Sequence, residues 1–115
     1  MGAVPVNYIE LPTTDMAAMK KFYIEAFGWT YTDYGPHYAS FDNAHVDGGF
    51  DGANNRSPSK DGALIVLLDQ ELEASQARVK AAGGDITQPI FSFPGGRRFH
   101  FVDPSGNELA VWAQD

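Results

Sequence analysis

The stretch "RRFHFVDPSGNELAVW", residues 97–112, sets a histidine between two phenylalanines, turns through Asp-Pro-Ser-Gly, and runs on to a tryptophan. Neighbouring residues in a strand point to opposite faces. Residues 97–102 therefore divide into one face with Arg97, Phe99 and Phe101 and another with Arg98, His100 and Val102. The phenylalanine face belongs against a helix. In the strand beyond the turn, Leu109 and Val111 form the apolar face, and Glu108, Ala110 and Trp112 share the other. The same alternation in the opening run "VPVNYIEL", residues 4–11, sends Ile9 and Leu11 towards a helix and leaves Val6, Tyr8 and Glu10 opposite.

Working outward, "PTTD" after the opening strand supplies a helix start with Thr14 or Asp15 as cap. Met16, Met19, Phe22, Tyr23 and Phe27 follow helical spacing, and Gly28 stops that helix. Three strand-like pieces come next, "WTYTDY", "HYASFD" and "HVDGGF", and a polar, turn-rich linker covers about 52–61. The order then repeats: "GALIVLL", a helix from about Gln70 to Ala82 ended by Gly83 and Gly84, then "DITQPIFSF", "RRFHFV" and "NELAVWA". Each half reads βαβββ, the first about 1–51 and the second about 62–115. The expected fold class is α+β, with the two modules paired in one domain so that their sheets enclose a cleft.

The chain has 115 residues, of which 43% are hydrophobic and 13% aromatic, enough for one self-supporting core. Fifteen acidic residues against eight basic ones give a charge of -7, which argues against nucleic acid or an anionic membrane surface as a partner. No cysteine is present, so thiolate metal sites and disulfides are excluded. "MGAVPVNYIELP" has neither a basic segment followed by an apolar run nor the Ser or Thr at position 6 that a myristoylation signal needs; a cytoplasmic location is the default expectation.

The paired βαβββ order, the opening "YIELPTTDMAAMKKFYIEAFGW" and the closing "FHFVDPSGNELAVW" resemble the vicinal oxygen chelate superfamily of glyoxalase I, bleomycin resistance proteins and extradiol dioxygenases. The likeness covers essentially the whole chain. It implies an open, incomplete barrel whose concave side holds the ligand, and members that often dimerise. In metal-using members, each module offers two ligands from its first and last strands. The corresponding positions here are Tyr8, Gly48 or Gly49, Ala63 and Ala110, and the alanines and glycines have no donor atom to give. The resemblance therefore implies a domain without the usual metal, and the family's metal-dependent activities do not transfer.

The expected function is binding of a small organic molecule in the inter-module cleft, with enzymatic activity left open and no cofactor implied. Trp112 would stack on a planar ligand and Arg98 would face a carboxylate. His100, with Glu10, would supply hydrogen bonds or proton transfer, and Tyr8 and Glu108 would complete the wall. Two alternatives stand beside it. One is a metal-dependent lyase or isomerase of glyoxalase type using a displaced Glu10 and His100 site, with Glu108 as a further ligand. The other is a non-enzymatic module for drug sequestration or homodimer assembly. His37 and His45 carry no signal beyond turns, and Arg97 is as readily a surface ion pair as a ligand contact.

Overall fold

The structure is a computed structural model, and it describes residues 2–53 and 55–115. Strand β1 (Tyr8–Pro12) leads into helix α1 (Met16–Phe27), then β2 (Thr30–Asp33), β3 (Tyr38–Asp42) and β4 (Asp47–Asp51). Strand β5 (Ile65–Leu68), helix α2 (Leu72–Ala81), β6 (Asp85–Phe93), β7 (Gly96–Val102) and β8 (Glu108–Gln114) repeat the pattern. Each module makes a four-stranded sheet, ordered β1-β4-β3-β2 in the first and β5-β8-β7-β6 in the second. In both, the first strand runs parallel to the last and the remaining pairs are antiparallel. The expected α+β pair of βαβββ modules is what forms, with the sheets not closed into a barrel.

Local chemistry fixes the element ends. Asp15 caps α1 by accepting from the Ala18 N–H at 3.1 Å, and Gly28 ends it at φ 71, where a side chain would be strained. Helix α2 begins two residues later than expected. Asp69 takes the Glu71 N–H into its own turn at 3.0 Å, and Glu71 makes no capping bond. Strand β1 is shorter than the apolar run suggests, because pairing with β4 starts only at Tyr8 opposite Asp47. Strand β5 is shorter for a similar reason: the Glu108 N–H, which would extend the ladder, is taken by the Ser59 carbonyl at 3.1 Å.

The strand alternation holds. Phe99, Phe101, Leu109, Val111 and Leu11 are buried in one continuous core with Met19, Phe22 and Tyr23 of α1. Tyr23 stacks on Trp29 at 4.6 Å between ring centroids, and Trp29 stacks on Phe41 at 4.5 Å. Phe22 and Phe27 reach Phe101 of the second module, 5.8 and 5.5 Å away, so α1 joins the two sheets. Polar contacts tie the same joint. The Tyr23 hydroxyl donates to Asp103 at 2.9 Å, and Asn107 donates to the Pro12 carbonyl at 2.9 Å.

Two adjacent glycines in β4 do different jobs. A methyl group on Gly48 would stand 2.2 Å from the Ile9 carbonyl and 2.1 Å from the Phe41 ring, inside the β1–β4 ladder. On Gly49 it would meet only the Tyr38 side chain, 2.2 Å from the hydroxyl. Gly48→Ala should therefore lose about 3 kcal/mol or more in urea unfolding, and Gly49→Ala about 1 kcal/mol, because a side-chain tip swings aside more cheaply than backbone moves.

Burial raises the Asp103 carboxyl above its ordinary value, although Tyr23, Asn107 and Ser105 all pull it down. The folded state thus holds this proton more firmly than the unfolded one, so the carboxyl's contribution to stability is fully present below the unfolded pKa and is lost as pH rises through the raised value. The unfolding free energy of the native chain minus that of Asp103→Asn should fall with pH in that window. Denaturant melts between pH 3 and pH 7, roughly the carboxylate range, measure this.

Candidate functional site

The sheet faces turned away from the helices carry the polar side chains singled out above. On the second sheet Arg98 sits opposite Trp112 on one side and Phe91 on the other, and His100 sits opposite Ala110 and Gln88. The Arg98 guanidinium lies 5.3 Å from the Phe91 ring centre and 5.4 Å from that of Phe93. Trp112 is 6.1 Å from Phe93. These rings shield the guanidinium flanks, and among the described residues no carboxylate pairs with it. Its Nε is buried without a hydrogen-bond partner.

His100 is only 5% exposed. Its Nδ1 lies 3.0 Å from Glu108 Oε2. An ionised carboxylate can only accept, so Nδ1 carries a proton, and in the neutral imidazole Nε2 then keeps its lone pair. That Nε2 is buried with no partner. A carboxylate that fixes an imidazole's tautomer and leaves the second nitrogen free is the arrangement of a general base or of an acceptor for a ligand's N–H or O–H. The imidazole lies across from Ala110, whose methyl is fully covered.

A different network occupies the first sheet. The Tyr8 and Tyr38 hydroxyls are hydrogen-bonded to each other, and Tyr38 donates to Glu10 Oε2 at 2.8 Å. Since the Tyr38 proton goes to Glu10, Tyr8 must be the donor to Tyr38, which leaves the lone pairs of the half-exposed Tyr8 oxygen open. Burial first, then the bonds to Tyr8 and Glu10, raise Tyr38 far above an ordinary phenol. The approach of its hydroxyl needs Gly49, the only residue type with no Cβ to obstruct it.

The pairing of His100 with Glu10 is corrected. His100 is held by Glu108 on its own sheet and Glu10 by Tyr38 on the other. No hydrogen bond joins the two sets among the described residues. Nor do Glu10, His100 and Glu108 converge as a displaced metal triad: among the described residues, no group of three His, Cys, Asp or Glu side chains is placed to hold an ion. Arg97, on the helix side, pairs with Glu73 of α2 at 2.7 Å, and that bond holds the Glu73 carboxyl below its ordinary value.

Three participants escaped the sequence reading. Tyr38 could have been placed by alternation from the core residue Phe41, which puts it on the Tyr8 face. Phe91 and Phe93 could have been placed as well, because the two register breaks of β6 cancel and alternation from the core-packed Ile90 puts both on the Arg98 face. The expected cleft between the modules is present as a cavity of about 610 Å³, but with other walls than expected. It lies between the sheet edges, walled by Ile9 and Leu11 of β1 and Ile65 and Leu67 of β5, and none of the six candidate residues lines it.

The model of the Glyoxalase/Bleomycin resistance protein/Dioxygenase superfamily matches residues 6–111. The chain belongs to this superfamily. It is similar to CFP32 of Mycobacterium bovis, which bears the provisional name glyoxylase, with 29% identity over 92% of this chain. The match covers 44% of CFP32, so the chain spans less than half the length of that relative. Among solved structures, a glyoxalase-related enzyme from Fulvimarina pelagi superposes with TM-score 0.81 at 22% identity, covering 96% of this chain and 88% of that one. A superfamily enzyme from Burkholderia phytofirmans gives 0.80 at 19%, covering 95% and 98%. At such identities these two likenesses concern the fold.

The positions of the superfamily's metal ligands can now be tested against the side chains. Tyr8 faces away from the helices, as does Gly49; Gly48 faces Phe41 in the core. Ala63 is corrected as well. It precedes β5, and since Ile65 and Leu67 pack on the core, the strand's other face carries Leu64, Val66 and Leu68. Ala110 pairs with His100 across the β7–β8 ladder. Among these residues only the Tyr8 phenol has a donor atom, so they do not fit the divalent ion that such sites hold.

Of the five tyrosines, Tyr23 and Tyr38 are raised, the first chiefly by complete burial. Ultraviolet titration of the folded protein should show two late-ionising phenols, and Tyr38→Phe should leave one. Two late phenols in that variant would place the hydrogen-bonded chain elsewhere.

Proposed function

We propose that this superfamily member binds a small organic molecule carrying an anionic group and a hydrogen-bond donor on the helix-free face of its second sheet, without the family's metal ion. The observation that carries this is the pair of buried, unpartnered nitrogens on one strand face, Arg98 Nε and His100 Nε2, set among Phe91, Phe93 and Trp112. Buried polar atoms are nearly always satisfied, and a ligand is one way to satisfy these two. Arg98 would take a carboxylate, the rings would hold a planar body, and His100 Nε2 would accept a proton or hydrogen bond while Glu108 keeps the imidazole turned. Tyr8 and Glu10 would serve from the other sheet, through Tyr38.

Whether a reaction follows depends on what proton His100 Nε2 meets. A substrate with an acidic C–H or O–H next to its carboxylate would make the dyad a metal-free general base. A ligand without one would simply be held, which is the sequestering role. Homodimer formation, frequent among superfamily members, is compatible with both. No described helix is long and apolar enough to cross a membrane.

Thermal-shift titration with planar aromatic acids tests the reading, since a ligand that binds only the folded state raises its melting temperature. Arg98→Ala should weaken binding by about 1.5–3 kcal/mol, roughly ten- to a hundredfold, as expected for a lost hydrogen bond to a charged group. His100→Ala should also weaken it. Metal analysis of protein purified without chelator separates the rival: stoichiometric metal that disappears with His100→Ala would reject the proposal.

A further inference from the structure

We infer that the acid taken by the Arg98 and His100 face is amphiphilic, and that its apolar tail runs over Trp112 onto an exposed aliphatic strip of β5. The inference rests on the anion-binding reading above and adds the part of the ligand that lies beyond the anion.

Strand register puts the pieces in one row. Phe91 of β6, Arg98 of β7, Trp112 of β8 and Leu68 of β5 stand directly opposite one another in successive ladders. Residues paired in this way share a sheet face, so Leu68 belongs to the face that carries Arg98. Val66 pairs with Ala110, which pairs with His100, in the neighbouring row. Leu64, Val66 and Leu68 are 38%, 42% and 58% exposed, which leaves the strip open to contact. A contiguous apolar patch in the open, rimmed by polar groups, marks a binding surface.

The direction of the tail follows from what surrounds the guanidinium. On the β6 side Phe91 and Phe93 already lie against it. On the other side Trp112 is half-buried, and beyond it the sheet ends at the β5 edge. Two strand spacings, about 10 Å, separate Arg98 from Leu68. A benzoate ring with a short alkyl chain opposite its carboxylate spans that distance. The head is charge-matched, since among the described residues no carboxylate pairs with Arg98. The strip itself has no charged member to desolvate.

A second copy of the chain fits the strip less well. It is one strand wide and about 13 Å long, whereas a stable interface buries roughly 800 Å² on each partner. Two chains of charge -7 also repel each other.

Calorimetric titration with benzoate, 4-methylbenzoate and 4-butylbenzoate tests the inference. Each added carbon should tighten binding about two- to fourfold, as a buried methylene does, so 4-butylbenzoate should bind at least tenfold more tightly than benzoate. Leu68→Ser and, independently, Val66→Ser alter exposed side chains and should each cut that gain at least threefold while leaving benzoate within twofold. Arg98→Ala should weaken both acids alike. Equal affinity of the native protein for benzoate and 4-butylbenzoate would overturn the inference and leave the anion-binding reading standing, whereas failure of both acids to bind would overturn the two together. A butyl gain that survives both serine variants also rejects the strip as the tail site. So does loss of self-association in Leu68→Ser with unchanged acid affinities, for then a second copy covers β5.

Discussion

One buried carboxylate holds the two modules in register. Asp103 Oδ1 accepts the backbone N–H groups of Ser105, Gly106 and Asn107 at 2.9, 3.0 and 3.1 Å, which shapes the turn between β7 and β8. Its Oδ2 accepts from the Asn107 side chain at 3.0 Å and from Tyr23 of α1 at 2.9 Å. Asn107 in turn holds Pro12 at the end of β1. Asp103 therefore fixes the turn of one module and binds it to the helix of the other, and through Asn107 to its first strand. Burial works against the charge, and five hydrogen bonds offset that cost; without any one of them the remaining groups would be left partly unsatisfied in a dry interior.

Because that turn sets where β7 ends and β8 begins, it also sets which side chains face which way. A shift of one residue would exchange Phe99 and Phe101 with Arg98 and His100, putting the phenylalanines in solvent and charges in the core. The site and the core are thus the two faces of one register. The hydrophobic demand of Phe99, Phe101, Leu109 and Val111 is what presents Arg98, His100, Glu108 and Trp112 together on the other side.

This explains what could be read in the sequence. Where one face is strongly apolar, as in 97–102 and 108–112, alternation places every side chain, and the span of α1 follows from Asp15, the helical spacing and Gly28. Where the pattern weakens, it fails. "GALIVLL" is apolar on both faces, so neither the start of β5 nor the facing of Ala63 could be fixed from it. Strand β6 has two irregularities: the first sets Gln88, two residues from the core-packed Ile86, opposite His100 on the other face, and the second restores the parity for Phe91 and Phe93. Which carboxylate reaches an imidazole was out of reach too. Glu10 and Glu108 were both assigned to a helix-free face, and only the strand order shows that Glu108 shares a sheet with His100.

The exchange of metal-ligating residues for small ones changes more than the absence of a donor. Gly49 lets the Tyr38 hydroxyl come in against Tyr8 and Glu10, and Ala110 stands opposite His100 in the β7–β8 ladder. At Gly49 the space a side chain would occupy is filled by the Tyr38 phenol, which carries its own hydrogen-bonding partners. A metal centre needs its donors to converge on one point. Here each sheet has instead built a self-contained polar pair, Tyr38 with Glu10 and His100 with Glu108. Restoring one ligand by substitution would then have to evict a packed ring and break a hydrogen bond at the same time. A ligating side chain placed at Gly49 would therefore lose stability before it gained an ion.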